Sequence, residues 1–375
     1  MAIPNLMNTG RSGMVAAKAA IATTGHNITN VNTEGFSRQR VETATETPQN
    51  GVGTRAQIGS GTKIARVSRL NDEYVEKQIR NAGRDVAHFE EKEVVLRQTE
   101  DIFNEMNGDG LNRLVARFFN EFRKLGNDPS NEAIRQSVRE SAQAMTNDFR
   151  RLRTEVDGVR AHIDARIEGY TKEVNQLATE VRDLNIKIKG LEAAGGSPND
   201  LLDKRDTALK KLGQYVDLAT HKDGEGMFYV DVKGVGPLIA GPNAERFDVF
   251  RSQADDQGKV DNALDVTTSA SAYGKVTHQL SGGKIGALLE ARDQTLSTIQ
   301  DRLDGLAFSV ANAVNDIHRQ GFTRSGAQGV DFFEVPPEQA RAAEFLKLSA
   351  AVRDDAGNIA AAAMPDAPGD NRIAV

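Results

Sequence analysis

MAIPNLMNTGRSGMVAAKAAIATTGHNITNVNTEGFSR, residues Met1 to Arg38, opens the chain. Ile3, Met7, Gly10, Met14, Ala17, Ile21, Thr24 and Ile28 step by four and three residues in strict alternation. That heptad spacing lines one face of a helix. The run then passes into Gly25-His26-Asn27-Ile28-Thr29-Asn30-Val31-Asn32-Thr33-Glu34-Gly35-Phe36-Ser37-Arg38, an Asn- and Gly-rich stop and turn. A helix of ~28 residues spans ~40 Å. Gly10, Gly13 and Gly25 each cost it about 1 kcal/mol relative to alanine. Burying Ile3, Met7, Met14, Ile21 and Ile28 returns at most ~1.5–3 kcal/mol apiece. The seam therefore needs a partner.

A chain of 375 residues is long enough for two or three domains with a substantial core. Its 39% hydrophobic and 27% charged residues suit a protein with much helix surface. No run approaches the ~18 apolar residues of a membrane span. No basic segment followed by an apolar one marks a cleavable signal peptide, which leaves open export by a route that reads none. The absence of cysteine rules out disulfides, thiolate nucleophiles and Cys-ligated metals. A net charge of −6 argues against general nucleic-acid binding. The most basic spot, Arg150-Arg151-Leu152-Arg153, reads as the solvated flank of a helix whose buried stripe holds Phe149 and Leu152.

Following the turn, residues 39–70 are rich in Gly, Thr and Ser and read as an extended linker, with Val41–Thr45 and Lys63–Val67 as short strands or extended segments. Helix resumes near Asn71, breaks at Asn107-Gly108-Asp109-Gly110 and continues from Leu111 to Leu125. Ser130 or Asn131 can then cap a very long helix. Its stripe runs through Ile134, Val138, Ala142, Met145, Phe149, Leu152 and Val156 to Ile188 and Leu191, with two stutters where successive steps are both fours. Some 60 residues of helix make a rod of ~90 Å. Gly195-Gly196 ends it, and Ser197-Pro198-Asn199-Asp200 starts a short helix, with Ser197 as cap, to Leu212.

Between 213 and 284 the period changes, and Tyr215–His221, Met227–Val232 and Phe247–Arg251 read as strands of a small β-rich insertion. Helix returns over 285–320, where Leu296, Ile299, Leu303, Leu306, Val310, Ala313 and Ile317 form a second heptad seam suited to run antiparallel to the rod. Residues 321–375 look loop-rich, with one short helix (Pro337 to Leu348) and an Ala/Pro/Asp-rich tail. The fold class is therefore mainly α with a smaller β insertion, α+β and multidomain. Long antiparallel heptad helices form a bundle, and 1–38 stands apart as an N-terminal assembly helix and turn. The bundle domain's first part is 71–212. Its two heptad helices can satisfy each other, which leaves the opening seam without a mate.

No chemistry emerges from the motifs. The six histidines are scattered outside any metal-ligand spacing. No Gly-x-Ser-x-Gly elbow frames a nucleophile. Gly51-Val52-Gly53-Thr54-Arg55-Ala56 has a dinucleotide-like pattern without the strand and helix around it, and Gly59-Ser60-Gly61-Thr62-Lys63 reverses the phosphate-loop order. Glu90-Glu91 and Asp203 with Asp206 read as solvated helix charges rather than a catalytic pair. Two classes stay open on these grounds: an assembly protein whose terminal seam docks on neighbouring subunits, or a ligand-binding or enzymatic protein with a site in the β insertion. The unpaired seam favours assembly. Gly10 and Gly13 also permit a segment that orders only on binding.

The N-terminal run Met14-Val15-Ala16-Ala17-Lys18-Ala19-Ala20, with Gly25 to Phe36 behind it, resembles the signature shared by bacterial flagellar axial proteins. Ser37-Arg38-Gln39 resembles the hook-associated protein 1 (FlgK) family of hook–filament junction proteins. Asp200-Leu201-Leu202-Asp203-Lys204-Arg205-Asp206, Gly282 to Asp293, Val314-Asn315-Asp316-Ile317-His318 through Phe332-Phe333, and Gly369-Asp370-Asn371 are similar to that family as well.

The resemblance implies a non-enzymatic structural subunit, without cofactor, catalytic or metal residues, that joins hook to filament; a hook or rod axial subunit is the alternative within the superfamily. It implies an extracellular location in the flagellum, reached through the flagellar secretion channel without a cleavable signal peptide. The implied partners are copies of itself in a ring or helical layer, the hook subunit, a second junction protein on the filament side, and the export apparatus with its chaperone, with no nucleic acid and no membrane insertion. On this reading the opening seam is the assembly interface, and Asn27, Asn30, Asn32, Thr33, Gly35, Phe36, Ser37 and Arg38 are the family-signature turn. Family members continue past the Gly-Asp-Asn segment into a C-terminal helical region, so a sequence ending at Val375 is either truncated or from a member that has lost the partner helix, and truncation is the expectation.

Overall fold

The computed structural model describes residues 2–47, 59–104, 110–224, 227–251, 264–269, 274–365, 367 and 369–374, with side chains from Leu6 onward. The dinucleotide-like run at 51–56 and the helix break at 107–109 lie outside them. The chain is mainly α with small antiparallel sheets, and it divides into two compact units: residues 1–90 with 167–287, and residues 91–166 with 288–375.

In the first unit, helix α1 (Ala2–Thr29) is followed by strands β1 (Gln39–Thr45) and β2 (Thr62–Arg69), where the sequence read an extended linker with short strands or extended segments at 41–45 and 63–67. They pair antiparallel from Gln39 opposite Arg69 to Thr45 opposite Thr62, with a bulge at Glu42/Thr43. Helix α2 (Glu73–Phe103) begins where the Asp72 carboxylate accepts the amides of Tyr74 and Val75 at 2.9 and 3.3 Å. Helix α4 (Glu132–Ala193) is one continuous helix whose later part belongs here, and it presents Val174, Ala178, Val181, Leu184 and Ile188 as buried side chains.

Helix α5 (Asn199–Tyr215) buries Ala208, Leu209 and Leu212. It starts without the expected Ser197 cap: Pro198 holds the N-cap position and no side chain closes the turn.

Strands β3 (Leu218–Lys222), β4 (Phe228–Val232), β5 (Gly236–Ala240) and β6 (Asn243–Ala244) form an antiparallel meander, and β7 (Phe247–Arg251) pairs with β8 (Leu264–Thr268). The sequence reading missed β5, β6 and β8. Pro237 masks β5, but it pairs opposite Asp231 at a bulge, where a missing amide donor is tolerated. Asn175 of α4 closes the edge of β7: its Nδ2 donates to Phe247 O and its Oδ1 accepts the Phe247 amide, both at 2.8 Å.

The second unit is built from α3 (Leu111–Asn127), the first part of α4, α6 (Gly283–Glu290) beyond Ala287, α7 (Ser297–His318) and the residues after it. Asn131 caps α4 by accepting the amides of Ala133 and Ile134 at 3.0 and 3.3 Å. The sequence-read stripe of α4 is the buried one: Val138, Ala142, Met145, Phe149, Leu152, Val156 and Ile163 are all in the core, while Leu191 at the far end is exposed.

Helix α7 runs antiparallel to α4. Arg153 meets Asp304, Gln300 donates to Asp157 and, just before α7, Arg292 donates to Asp164, so the contacts climb α4 as their partners descend toward and past the start of α7. Its buried face follows the heptad seam read from the sequence only in part. Leu296 and Leu303 are buried, but Leu306 and Ile317 are exposed, and the core takes Ala307 and Ala311 beside Gln300, Asp304, Asn315 and His318. Small side chains allow close approach there, and the polar ones are all hydrogen-bonded, so burial costs them little. For the same reason Arg153 is no solvated flank. It is buried and paired with Asp157 and Asp304. Glu91 is likewise buried, against Arg166.

The loop-rich C-terminal segment supplies much of this core. Short strands β9 (Phe333–Glu334) and β10 (Lys347–Leu348) pair around α8 (Ala342–Phe345), and α9 (Ala350–Asp354) follows. Phe332, Phe333, Leu346, Leu348, Val352 and Ile359 are buried against Phe118, Phe149 and Leu303. Asn315 holds the entry to β9, accepting the amides of Phe332 and Phe333 at 2.9 and 2.8 Å and donating to Phe333 O at 2.9 Å.

Candidate assembly interface

Helix α1 has two unlike faces. Thr9, Ser12, Ala16, Ala19 and Thr23 are partly buried, and α1 packs on the β1–β2 hairpin. Ser12 makes the closest junction: its Oγ accepts the Thr62 amide at 3.2 Å and donates to Thr9 O at 2.8 Å. Gly61 stands at φ +102, and a Cβ there would lie 2.2 Å from that oxygen. Only glycine fits both the conformation and the space.

The other face carries the heptad seam. Met7, Met14, Ile21 and Ile28 are 71%, 70%, 74% and 68% exposed. Gly10, Ala17 and Thr24 lie in the same exposed stripe, and Thr24 turns its hydroxyl back to Ala20 O. Ile3 lies in α1, with its side chain outside the described residues. Isolated apolar residues on a surface are ordinary; here Met7, Met14, Ile21 and Ile28 share one stripe of a helix. Nothing in α1 is acidic, and its basic side chains are Arg11, Lys18 and His26.

Behind the seam the turn is tied to α5 and the hairpin. Asn27 Nδ2 donates to Gln39 O at 2.8 Å and Asn27 Oδ1 accepts the Gln39 amide at 2.9 Å. Asn30 Nδ2 donates to His26 O at 3.0 Å, closing the last turn of α1, and Thr33 Oγ1 donates to Asn30 Oδ1 at 3.2 Å. Gly35, at φ +77, lies where a Cβ would stand 2.1 Å from Thr207 Oγ1. Phe36 packs edge-on to His26 with ring centres 5.3 Å apart. The Ser37 amide donates to Asp203 Oδ2 at 3.0 Å. Arg38 and Asn32 are exposed, and Arg38 contributes its carbonyl to the Leu70 amide at 2.8 Å.

The acidic run of α5 is the other half of this joint. Asp200, Asp203 and Asp206 fall at i, i+3 and i+6 and so share one helix face. Asp203 is buried rather than solvated, and Arg69 Nη1 bridges Asp203 at 2.7 Å and Asp206 at 2.9 Å. Burial alone lowers the pKa of Arg69; the hydrogen bonds it donates to the two carboxylates outweigh it and hold the guanidinium above its ordinary value. Asp200 accepts Gln39 Nε2 at 2.8 Å, and Asn199 Nδ2 donates to Val67 O at 2.8 Å. Arg69 and Thr207 were not singled out from the sequence. The three-residue spacing of the acids was the available signal for their shared face. The carboxylates here hold backbone and guanidinium in place. Among the described residues, no group of three or more His, Asp or Glu side chains is arranged to hold a metal ion.

A family model described as the flagellar hook-associated protein FlgK helical domain matches residues 96–333, more than half of the chain. The chain belongs to the FlgK family. A second model, described as flagella basal body rod protein, matches residues 7–36, which carry most of the seam and of the turn. Among FlgK relatives, flagellar hook-associated protein 1 of Bacillus subtilis is 28% identical over 395 residues, covering 97% of this chain and 78% of the relative. The protein of the same description from Salmonella typhimurium is 26% identical over 334 residues, covering 88% of this chain and 59% of the relative. The structure of the flagellar hook junction protein FlgK from Burkholderia pseudomallei superposes with a TM-score of 0.60 at 23% identity, over 70% of this chain and 46% of that one. It shares the fold. No helix among the described residues is long and apolar enough to cross a membrane.

Proposed function

We propose that this chain is a non-enzymatic structural subunit of the bacterial flagellum that joins hook to filament and assembles through the α1 seam. The observation that carries the reading is the exposure of Met7, Met14, Ile21 and Ile28 on one face of a helix whose other face is already occupied. Gly10 and Gly13 add support: a Cβ at either would meet nothing within 4 Å in this chain, so their smallness is free to serve a neighbouring helix. The partners follow from the family: further copies of the chain, the hook subunit on one side, a second junction protein on the other, and the export apparatus with its chaperone. The location is extracellular, at the hook–filament junction. The joint of Asn27 to Gln39 with α5 would set the direction in which the seam leaves the folded body.

The test is a strain whose own copy is replaced by a chain lacking residues 1–28, alongside one carrying Met14→Asp with Ile21→Asp. Both proteins are expected to remain folded by circular dichroism while filaments fail to attach. Normal filaments on either strain would overturn the proposal.

A further inference from the structure

Arg205 of α5 belongs to no ion pair among the described residues, although it is only 6% exposed. Its guanidinium lies 4.0 Å from the centre of the Phe228 ring, and Nη1 donates to Asn185 Oδ1 at 3.3 Å. Nε is buried without a hydrogen-bond partner. Cation–π contact and a single neutral hydrogen bond compensate only part of the desolvation of a guanidinium, whose natural complement is a planar or tetrahedral oxyanion.

Arg205 lines a cavity of about 620 Å³ between the start of α2, α5 and the β3–β4 edge. That volume lies within the range of small-molecule sites. The charges around the cavity sort into satisfied and unsatisfied. Asp206 is taken by Arg69, Glu76 by Lys210, and Glu73 by Lys222. Lys77 and Arg80 line the same cavity with no carboxylate partner among the described residues, Arg80 reaching only Thr220 Oγ1 at 3.5 Å. Arg205, Lys77 and Arg80 thus face one cavity that also holds Glu192, and five cations in its lining meet four carboxylates.

We infer that this cavity binds a small oxyanion of the phosphate class, with Arg205 as the buried anchor and Lys77 and Arg80 as the rim. The excess of positive charge suits an anion. The guanidinium can offer two parallel N–H groups to two of its oxygens, and the Phe228 ring beneath holds the fork in one plane. A monocarboxylate offers the same two oxygens with half the charge and is expected to compete weakly. The inference concerns this chain's own residues and does not depend on the assembly reading.

The experiment titrates inorganic phosphate into the purified chain by isothermal calorimetry and by thermal unfolding, with ionic strength held constant by sodium chloride. Saturable binding with a phosphate-dependent rise in Tm is expected, and acetate should produce neither. Arg80→Gln and Lys77→Gln, both at the rim and away from the core, should each weaken phosphate binding about tenfold, as loss of one charge-assisted contact does. Arg205→Lys keeps the charge but removes the fork, and should abolish saturation. No heat and no Tm response in the wild-type chain would overturn the inference. So would phosphate binding that is unchanged in Arg80→Gln and Lys77→Gln, because the anion would then sit elsewhere.

Discussion

Asn27 and Gln39 are joined by a reciprocal pair of hydrogen bonds, side-chain amide to backbone, that closes the loop between α1 and β1. The Asn27 side chain takes the place of a neighbouring strand, as Asn175 does for Phe247 and Asn315 for Phe333. A carboxamide offers one donor and one acceptor in a plane, the same pair that a peptide group offers. Asn27→Ala removes both bonds and should loosen the joint by about 1–2 kcal/mol without unfolding the chain. Amide hydrogen exchange reads it directly: protection at Gln39 should fall while core amides such as those of Met145 and Phe149 keep theirs. Unchanged protection at Gln39 would contradict this account of the joint.

Gly35 and Thr207 supply a second check. A side chain at Gly35 meets a left-handed backbone at φ +77 and the Thr207 hydroxyl at 2.1 Å. Gly35→Ala is expected to destabilise by about 1–2 kcal/mol from the backbone alone, and further from the clash. Pairing it with Thr207→Ala moves the nearest heavy atom out to the Cβ at 3.4 Å and should recover the clash but not the backbone part. The double-mutant cycle, read by urea unfolding, should show coupling between the two positions. Strict additivity would mean that the turn does not seat on α5.

Removing the cation of the joint should cost more than removing either anion. Arg69→Met leaves Asp203 and Asp206 facing each other with little solvent, a loss of about 3 kcal/mol. Arg69→Met with Asp203→Asn keeps an acceptor for the Ser37 amide and leaves one carboxylate, so it should be the more stable of the two variants. Thermal unfolding ranks them, and the reverse order would show that the ion pair is incidental.

His318 ties stability to pH. Its Nε2 accepts the Ala360 amide at 2.8 Å, so the proton of the neutral ring sits on Nδ1, which faces Val330 O at 2.6 Å. Burial lowers its pKa below the ordinary value near 6.5, against the opposing pull of the Val330 carbonyl. The unfolded chain therefore binds a proton that the folded chain refuses. Stability is complete above pH ~6.5 and declines as pH falls from there to the lowered folded value, by about 1.4 kcal/mol per unit of difference. His318→Gln should flatten the dependence of Tm on pH between about 7 and 5. An equal slope in both proteins would place the titration elsewhere.

Much of this architecture is legible in periodicity. The buried stripe of α4 matches the sequence reading almost residue for residue, because a long helix sampled over many turns averages out local exceptions. Over the shorter α7 the same method selected Leu306 and Ile317, which are exposed, and passed over Ala307, Ala311 and Asn315. Hydrophobicity ranks residues by what they prefer, whereas a crowded interface also selects by size and by hydrogen-bonding partners supplied from elsewhere in the chain. The C-terminal segment shows the same limit: Phe332, Leu346, Val352 and Ile359 are core residues held in irregular backbone, which has no period to detect.

The sequence by itself determined that a heptad seam opens the chain, that an Asn- and Gly-rich turn follows it, and that the body is helical with a β insertion. Those features depend on local spacing and composition, which survive without knowledge of distant contacts. Tertiary structure alone decided what covers the opposite face of α1, since the small residues Ser12, Ala16 and Ala19 are covered only once β1 and β2 pair beside them. It also decided what holds the turn. Asn27 meets Gln39, Gly35 meets Thr207, and Arg69 meets Asp203 across separations of 12 to more than 100 residues. Contacts of that range depend on where folding brings distant backbone together, and no local pattern encodes them.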